Sequence, residues 1–435
     1  MISCVLNNTV RHLPPNIGLF INRIPYEYRP ILGKLYRERK NQIVFFDNAS
    51  VQQKQNFIFS NLKSLVEYSY SQVPFYNIFY NTQNFHPDQL RSFADIQRIP
   101  IITKSILKEF DIEERSSKRK WRYIVNTGGS SGVSFSLYIE PTSIAHEWAH
   151  MHTIWEKLNY KSSDLKLTFI GRSDLKKSVV EYDILRNSFH VDTYSDYNLI
   201  ADKIKMLLKK NTIKYLHGYP SLIYEFALYC DDKDIELKNF LSENLQGAFL
   251  SSEFPHNHYR EKIENVFNIP TISWYGHTER TVLAYEKHEK FLYEPFQTYG
   301  FAEAVLSSEG DNNLIATGYY NYASPLIRYN TEDVISDIKC TSGILDGFMI
   351  TKGRNGEFVI DKEGKKISLT ALVFGRHHKI FNSSKFIQIK QVKNGEIEIH
   401  FVSDKLSIKE AENYFDKRNL NMDLKFIKRS EPYRT

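Results

Sequence analysis

Asn126 to Gly132 reads Asn-Thr-Gly-Gly-Ser-Ser-Gly, which places three glycines and three hydroxyl side chains between two runs of strand-forming residues. Glycine permits close approach of the backbone and positive φ, so the N–H groups and hydroxyls can form a concavity that binds an anion. The same composition suits an ordinary hairpin turn. Val133 and Ser134 follow where a Walker loop has Lys and then Ser or Thr, and no GxGxxG match is present. The sequence predicts either a phosphate-binding loop or a plain turn.

Polar clusters follow three apolar runs further along the chain. The string SWYGHTE ends at Glu279, RYNTED ends at Asp333 and KGR ends at Arg354. Open α/β sheets bind ligands beyond the carboxyl ends of their strands, so these residues are candidates for ligand binding. Structural roles are also open, because Asp333 could brace a loop and Glu279 could pair with Arg280.

A rival signal is the string His146-Glu147-Trp148-Ala149-His150, which matches H-E-x-x-H on a predicted helix. Both histidines would share one helix face, and Glu147 could serve as the base of a zinc hydrolase. The extended form of the motif is absent, because Thr153 and Glu156 stand where a Gly and a third His would be. We therefore interpret this helix as packing behind the Gly-rich loop and keep zinc hydrolysis as a distant alternative.

Composition favours a folded protein of more than one domain. The chain has 435 residues and 14% aromatic residues, which suffices for a large core. Its net charge of +6 is spread over short basic clusters typical of solvated helix faces, which disfavours nucleic-acid binding. Three cysteines without a CxxC pair give no disulfide framework or Cys-type zinc site. We expect no membrane span and no leader peptide, and hence a cytoplasmic protein.

Apolar runs at 167–170, 214–216, 248–250 and 271–274 alternate with helical patterns, which is typical of an α/β fold with a largely parallel sheet. A helix is predicted over Thr142–Leu158. After Arg354 the pattern changes to a small α+β unit. A hairpin is predicted there over 386–402 with Asn394-Gly395 at its turn, followed by a helix over 407–417 and a strand over 424–427.

The clusters and the Gly-rich loop, in this order, resemble the signature segments of adenylate-forming enzymes, the superfamily of acyl-CoA synthetases, peptide-synthetase adenylation domains and luciferases. The resemblance is strongest to the phenylacetate-CoA ligase branch and its relatives encoded with capsular polysaccharide genes. It covers nearly the whole chain, since four further strings also fit: Val73–Tyr76, Arg98–Lys104, His217–Ser221 and Ser251–Glu253. The resemblance implies a large mixed α/β domain over 1–353, with largely parallel sheets flanked by helices, and a small α+β lid over 354–435.

The resemblance also implies ATP, Mg²⁺ and a carboxylic acid as ligands. Thr278 would contact the α-phosphate and Glu279 would bind Mg²⁺, which prefers carboxylate oxygens. Asp333 and Arg354 would hold the ribose. The β- and γ-phosphates would be held by Thr127, Gly128, Gly129, Ser130, Ser131 and Gly132, and the adenine would be lined by Ser252, Glu253, Tyr275 and Gly276.

The identity of the acid stays open, although aromatic and polar residues near the strand ends are candidates for its pocket: His217, Tyr219, Trp274 and His277. The implied reaction forms an acyl-adenylate and then passes the acyl group to a thiol or amine. Coenzyme A, a carrier protein and a sugar are the candidate acceptors. The capsular relatives suggest a role in surface or capsular polysaccharide biosynthesis.

One departure from the resemblance concerns the lid. Relatives end with a segment whose lysine bridges the carboxylate and the α-phosphate, whereas this sequence ends at Thr435 just before that position. Loss of such a charge would slow adenylation by orders of magnitude unless another cation replaces it. Lys365 or Lys366 is predicted to be that cation. The alternative is a degenerate adenylate-forming fold that binds nucleotide or transfers acyl groups without efficient adenylation.

Overall fold

The computed structural model describes residues 15–30, 32–127, 135–171, 175, 178–308, 310–351, 358–373, 376, 378–384 and 386–431. The segment from Gly128 to Ser134 and the segment 352–357 lie outside these residues. The predicted boundary between 353 and 354 therefore stays a prediction.

The amino-terminal part is helical. Its helices are α1 (Pro15–Ile21), α2 (Gly33–Asn48), α3 (Val51–Gln72), α4 (Pro74–Thr82) and α5 (Lys104–Lys108), with 3₁₀ turns at Tyr26–Tyr28, Pro87–Gln89 and Phe93–Arg98. A capping box starts α3, because the Ser50 hydroxyl accepts from the Gln53 N–H and the Gln53 side chain accepts from the Ser50 N–H. Pro74 occupies the first turn of α4, where its missing N–H costs nothing.

An eight-stranded sheet forms the centre. Its strands are β3 (Leu165–Phe169), β4 (Val180–Asp183), β5 (Ser188–Val191), β6 (Ile213–Gly218), β7 (Gly247–Leu250), β8 (Thr271–Gly276), β9 (Leu283–Tyr285) and β10 (Glu294–Pro295). They lie in the order β10-β9-β8-β7-β6-β3-β5-β4, parallel from β8 to β5 and antiparallel at both edges. The predicted runs are β3, β6, β7 and β8, so the α/β prediction with a largely parallel sheet is confirmed.

Helices cover both faces of this sheet. They are α6 (Ser143–Trp155), followed by a 3₁₀ turn at Glu156–Leu158, then α7 (Tyr197–Leu208), α8 (Pro220–Lys233), α9 (Ile235–Asn244) and α10 (Asn257–Phe267). On one face Leu167 and Leu216 pack with Phe226 of α8. On the other face Phe249 stacks on Trp155 of α6 at 4.9 Å. The helix predicted over Thr142–Leu158 is thus confirmed, with its last turn in 3₁₀ geometry.

Two antiparallel units complete this part of the chain. The hairpin β1 (Tyr123–Thr127) and β2 (Phe135–Ile139) flanks the Gly-rich stretch, and β11 (Gly300–Leu306), β12 (Asn312–Gly318), β13 (Tyr329–Thr341) and β14 (Ile344–Ile350) form a four-stranded sheet. A parallel bridge between Ile102 and Tyr329 ties the segment before α5 to the start of β13. The sequence patterns had not predicted this second sheet.

The carboxy-terminal unit has its own apolar core, which includes Ile399, Phe401 and Phe415. Its elements are β15 (Phe358–Ile360), β16 (Lys366–Ser368), α11 (Leu369–Val373), a 3₁₀ turn at Lys379–Asn382, β17 (Phe386–Lys393), β18 (Glu396–Val402), α12 (Ile408–Tyr414) and β19 (Asp423–Arg429). The predicted hairpin is confirmed, with Gly395 at φ +78° in its turn. The predicted helix and final strand correspond to α12 and β19. No helix among the described residues is long and apolar enough to cross a bilayer.

Candidate active site

Glu279 lies just beyond the carboxyl end of β8, in a turn closed by a hydrogen bond from the Arg280 N–H to the His277 carbonyl. Its side chain is buried. His277 Nδ1 lies 3.1 Å from Glu279 Oε2, and the Tyr329 hydroxyl donates to Oε1 at 3.4 Å. Thr281 Oγ1 holds the other ring nitrogen of His277 at 3.2 Å. The turn thus fixes the carboxylate from two sides.

The electrostatics keep Glu279 ionised. Burial by itself would raise the pKa of this carboxyl, but the hydrogen bond and charge of His277, with the charge of Lys104, lower the pKa to about 2. A deprotonated carboxylate fixed beyond a strand end suits a hard cation such as Mg²⁺. Glu279 therefore has the chemistry for the metal role that the resemblance implies. Thr278, beside it, is exposed at the same turn.

Asp333 lies near the start of β13, whereas the sequence pattern had placed it beyond the carboxyl end of a strand. Pairing of β12 with β13 passes from Asn330 to Val334, so the residues between them form a bulge. A bulge changes the direction in which the side chains of a strand point. The Tyr275 hydroxyl, on β8, donates to Asp333 Oδ2 at 2.5 Å, so two predicted nucleotide residues from distant segments are in contact. Burial and the Asp333 charge raise the pKa of Tyr275 well above its usual value, which keeps the phenol a donor.

Lys104 lies close enough to Glu279 for its charge to lower the pKa of that carboxyl, and the sequence had indicated no role for it. It is 7% exposed, opens α5 after the Thr103 cap, and its Nζ lies 3.5 Å from Glu332 Oε2. The bridge between Ile102 and Tyr329 brings it there. A nearly buried cation beside the Glu279 turn has the chemistry to neutralise the charge of a phosphate. Its only sequence signal is the Thr-Lys pair after an apolar segment.

The predicted acid-pocket residues separate into three places. His217 stacks on Trp274 at 5.9 Å, and Trp155 of α6 contacts both rings. Tyr219 instead packs into the core beside α8, apart from the His217–Trp274 stack, so its place in the acid pocket stays a prediction. His277 belongs to the Glu279 turn. Burial, with the positive charges of Lys166 and His190, lowers the pKa of His217 to about 3, so its imidazole is neutral.

The predicted adenine residues after β7 have mixed positions. Ser252 is exposed and has φ +66°, a left-handed backbone conformation that is uncommon for residues other than glycine. Glu253 is buried, and its Oε2 accepts the Ser221 N–H at 3.2 Å in the first turn of α8. Glu253 therefore acts as a brace for a helix N-terminus in this structure. Gly276 is exposed at the end of β8 next to Tyr275.

Thr127 ends β1 and is 3% exposed. Its Oγ1 is buried and makes no hydrogen bond to any described residue. Buried hydroxyls normally have a partner, so this atom is suited to a ligand or to the adjoining loop. The other residues of the predicted phosphate loop, Gly128, Gly129, Ser130, Ser131 and Gly132, lie outside the described residues, as does Arg354.

The two lid lysines lie away from the Glu279 turn in the contacts that the structure describes. Lys365 Nζ donates to the carbonyls of Thr193 at 3.1 Å and Ser195 at 2.8 Å, in the loop that follows β5. Burial lowers the pKa of Lys365. Lys366 Nζ lies 5.6 Å from the centre of the Phe358 ring within the lid. The structure thus brings Lys365 to the loop after β5, at a strand end other than that of Glu279.

Both histidines of the H-E-x-x-H string are buried, and Glu147 is half-buried. His150 Nδ1 contacts the His146 carbonyl and its Nε2 contacts Thr298 Oγ1, both at 2.9 Å. Glu147 accepts from the Tyr299 hydroxyl. Both nitrogens of His150 are thus engaged, and the described part of the chain holds no cluster of three or more His, Cys, Asp or Glu that could bind a metal. This geometry favours the packing interpretation of α6.

The architecture is similar to the fold of adenylate-forming enzymes, which confirms the resemblance seen in the sequence. The structure is similar to 2-hydroxyisobutyryl-CoA ligase in complex with 2-HIB-AMP and CoA in the thioesterification state, with a TM-score of 0.59, 14% identity and 90% of each chain covered. The same ligase in the postadenylation state with R3-HIB-AMP gives a TM-score of 0.55 at 13% identity, again over 90% of each chain.

In sequence, the chain is similar to Protein CapK of Staphylococcus aureus. The two are 24% identical over 425 residues, which cover 91% of this chain and 88% of CapK. This relative supports the capsular branch of the resemblance. No family model matches the chain.

Proposed function

We propose that this protein uses ATP to activate a carboxylic acid as an acyl-adenylate and then transfers the acyl group to a thiol or amine, in surface or capsular polysaccharide biosynthesis. The observation that carries the proposal is the convergence of Glu279, Tyr275 and Asp333 at one edge of an adenylate-forming fold. Similarity to CapK and to a ligase crystallised with acyl-AMP and CoA supports it. We also propose a phenylacetate-CoA ligase-like subtype and a cytoplasmic location, where ATP is available.

In this proposal the residues bind the nucleotide, orient it and neutralise the charge of its phosphates. Glu279 would hold Mg²⁺, which would shield phosphate charge, and Thr278 would donate to the α-phosphate. Asp333 accepts from the ribose hydroxyls with Arg354 alongside. Thr127 contributes its buried hydroxyl to the phosphate loop. Reactions of this kind depend on positioning and charge stabilisation more than on a strong base.

The acid would lie against the His217–Trp274 stack, whose flat faces suit an apolar or aromatic group. The acceptor is proposed to be coenzyme A, a carrier-protein thiol or a sugar amine. Lys365 and Lys366 remain the proposed lid cations. For Lys365 to reach the Glu279 turn it must leave the two carbonyls of the β5 loop, so its role requires the lid to move.

The test is pyrophosphate release from Mg²⁺-ATP across a panel of carboxylic acids. Glu279→Gln should lower release by about 10²-fold or more, in line with the loss of one positioned charge contact. Glu332→Gln is the matched control, because Glu332 lies near the cluster but its side chain is 42% exposed.

Acid-dependent release that needs Glu279 supports the ligase. ATP binding without release under any acid would favour the degenerate alternative, in which the fold binds nucleotide or transfers acyl groups. Stoichiometric zinc with hydrolase activity that depends on His146 would favour the third candidate. Lys365→Ala and Lys366→Ala variants with unchanged release would refute the proposed lid cations without touching the ligase assignment.

A further inference from the structure

The backbone that follows Glu279 packs directly against the second sheet. Gly300 and Gly318 pair across β11 and β12, and the carbonyls of Thr281 and Arg280 approach them closely. A Cβ atom at Gly300 would lie 2.2 Å from the Thr281 oxygen, and one at Gly318 would lie 2.7 Å from the Arg280 oxygen. A side chain at either position would collide with this backbone, so only glycine permits the contact. The second sheet thus fixes the backbone next to Glu279.

The side chain of Arg280 makes a second contact that holds this turn. Its backbone has φ +56°, and its Nη1 donates to Ser143 Oγ at 2.9 Å. Ser143 is the first residue of α6, and its hydroxyl donates in turn to the Glu140 carbonyl at 2.6 Å. Glu140 directly follows β2, the second strand of the hairpin that flanks the Gly-rich stretch. The guanidinium therefore links the Glu279 turn to the start of α6 and to this hairpin.

Glu147 connects α6 to the same region. It lies four residues after Ser143, so the two side chains share a face of the helix. The Glu147 carboxylate accepts from the Tyr299 hydroxyl, and Tyr299 directly precedes Gly300. Burial by itself would lower the pKa of Arg280, but the nearby Glu147 carboxylate raises it. Glu147 therefore stabilises the charge of Arg280, which gives the glutamate of the H-E-x-x-H string a role that needs no zinc.

These contacts bear on the Glu279 carboxylate because Glu279 and Arg280 are adjacent in the chain. The hydrogen bond from the Arg280 N–H to the His277 carbonyl closes the turn that carries Glu279. A side chain that holds Arg280 in place therefore also limits how the Glu279 carboxylate can turn. Groups that orient a metal ligand without touching the metal typically contribute about 10- to 100-fold to metal affinity.

We propose that Arg280 and Glu147 are positioning residues, through which α6 orients the Glu279 carboxylate toward a divalent cation that binds with ATP. This role rests on the metal role proposed above for Glu279, and it adds the residues that set the orientation of that carboxylate. Loss of either side chain should therefore reduce the effect of Mg²⁺ on ATP binding more than it reduces ATP binding without a metal.

The measurement is the dissociation constant of ATP from the full-length protein, by calorimetry in Mg²⁺ and again in EDTA. The ratio of the two constants is the gain in affinity that the metal gives. Arg280→Met and Glu147→Gln should each lower this gain about 10-fold, and Arg280→Lys, which keeps the charge, should lower it less. The double variant should lose no more than either single variant, because both residues act on one turn. A general packing defect would instead weaken ATP binding equally with and without the metal.

Glu156→Gln is the matched control, because Glu156 directly follows α6 but its side chain is 46% exposed and pairs with Lys40, so the gain should not change. Circular dichroism checks folding, and Glu147→Gln with Arg280→Lys suffices if Arg280→Met does not fold. The proposal is overturned if the folded variants keep the wild-type gain, or if they lose ATP affinity equally in Mg²⁺ and EDTA. If Glu279→Gln abolishes the gain in that case, the metal role of Glu279 stands and only the positioning role fails. A wild-type protein without any gain would reject both roles.

Discussion

Replacement of Glu279 by Gln tests the electrostatic account of the candidate site without a substrate. The substitution keeps the shape of the side chain and an acceptor for the Tyr329 hydroxyl, but it removes the negative charge that faces His277 and Lys104. The ordinary pKa of 4.5 and the folded value of about 2 differ by about 2.5. At about 1.4 kcal/mol per unit of pKa, the ionised carboxylate stabilises the fold by about 3 kcal/mol at pH 7.

The sign of the pH dependence follows from the depressed pKa. The stabilisation is complete above the unfolded pKa near 4.5 and is lost as pH falls through the folded value near 2. Glu279→Gln should therefore be about 3 kcal/mol less stable than wild type at pH 7, and the difference should fall to roughly half by pH 3. The measurement is urea unfolding followed by tryptophan fluorescence at the two pH values.

Glu332→Gln is the control for this experiment. Its side chain is 42% exposed and its ion pair with Lys104 spans 3.5 Å, so its loss should cost under about 1 kcal/mol. Equal unfolding free energies for Glu279→Gln and wild type at pH 7 would refute the electrostatic reasoning. So would a deficit that stays constant down to pH 3.

Three further substitutions probe other buried groups. Arg328→Met should destabilise the protein by about 3–5 kcal/mol in urea unfolding, because it leaves the Glu303 carboxylate without the guanidinium that donates to it at 2.7 and 3.0 Å. A double-mutant cycle with Glu303→Gln that shows no coupling energy would contradict this. Burial lowers the pKa of Lys166 to about 7, so wild type should gain stability from pH 7 to pH 10. Lys166→Met should stabilise most at pH 7, and a pH-independent effect would exclude this explanation. Arg376→Leu removes a guanidinium that lies 3.9 Å from the Tyr194 ring, and it should therefore speed proteolysis of the carboxy-terminal unit. An unchanged cleavage rate would show that this contact does not protect the unit from the protease.

The central sheet could be predicted because its strands are short apolar runs buried on both faces. Leu167, Leu216 and Ala248 pack toward α8 and α10, while their neighbours Thr168, His217 and Phe249 face α6. Such runs, interrupted by helical patterns, have a sequence signature. The hairpin at Gly395 had one too, because its turn needs positive φ.

The residues that were missed or misplaced depend on tertiary contacts. Lys104 reaches the Glu279 cluster only because Ile102 pairs with Tyr329, and no local pattern encodes that pairing. Asp333 was placed beyond a strand end, but a bulge in β13 aims it. Tyr219 was chosen as an aromatic residue near a strand end, yet after the backbone turn at Gly218, with φ +143°, its side chain packs into the core beside α8.

The bridge between Ile102 and Tyr329 also bears on how the protein is made. Lys104 leaves the ribosome long before Glu279 and Asp333 do, and loops of this length close late and slowly. Until these contacts form, Lys104 and the carboxylates near it remain exposed to water. Under the proposed function, nucleotide affinity would appear only after Ile102 has paired with Tyr329. A nucleotide that binds this late-formed arrangement would stabilise finished chains over partly folded ones.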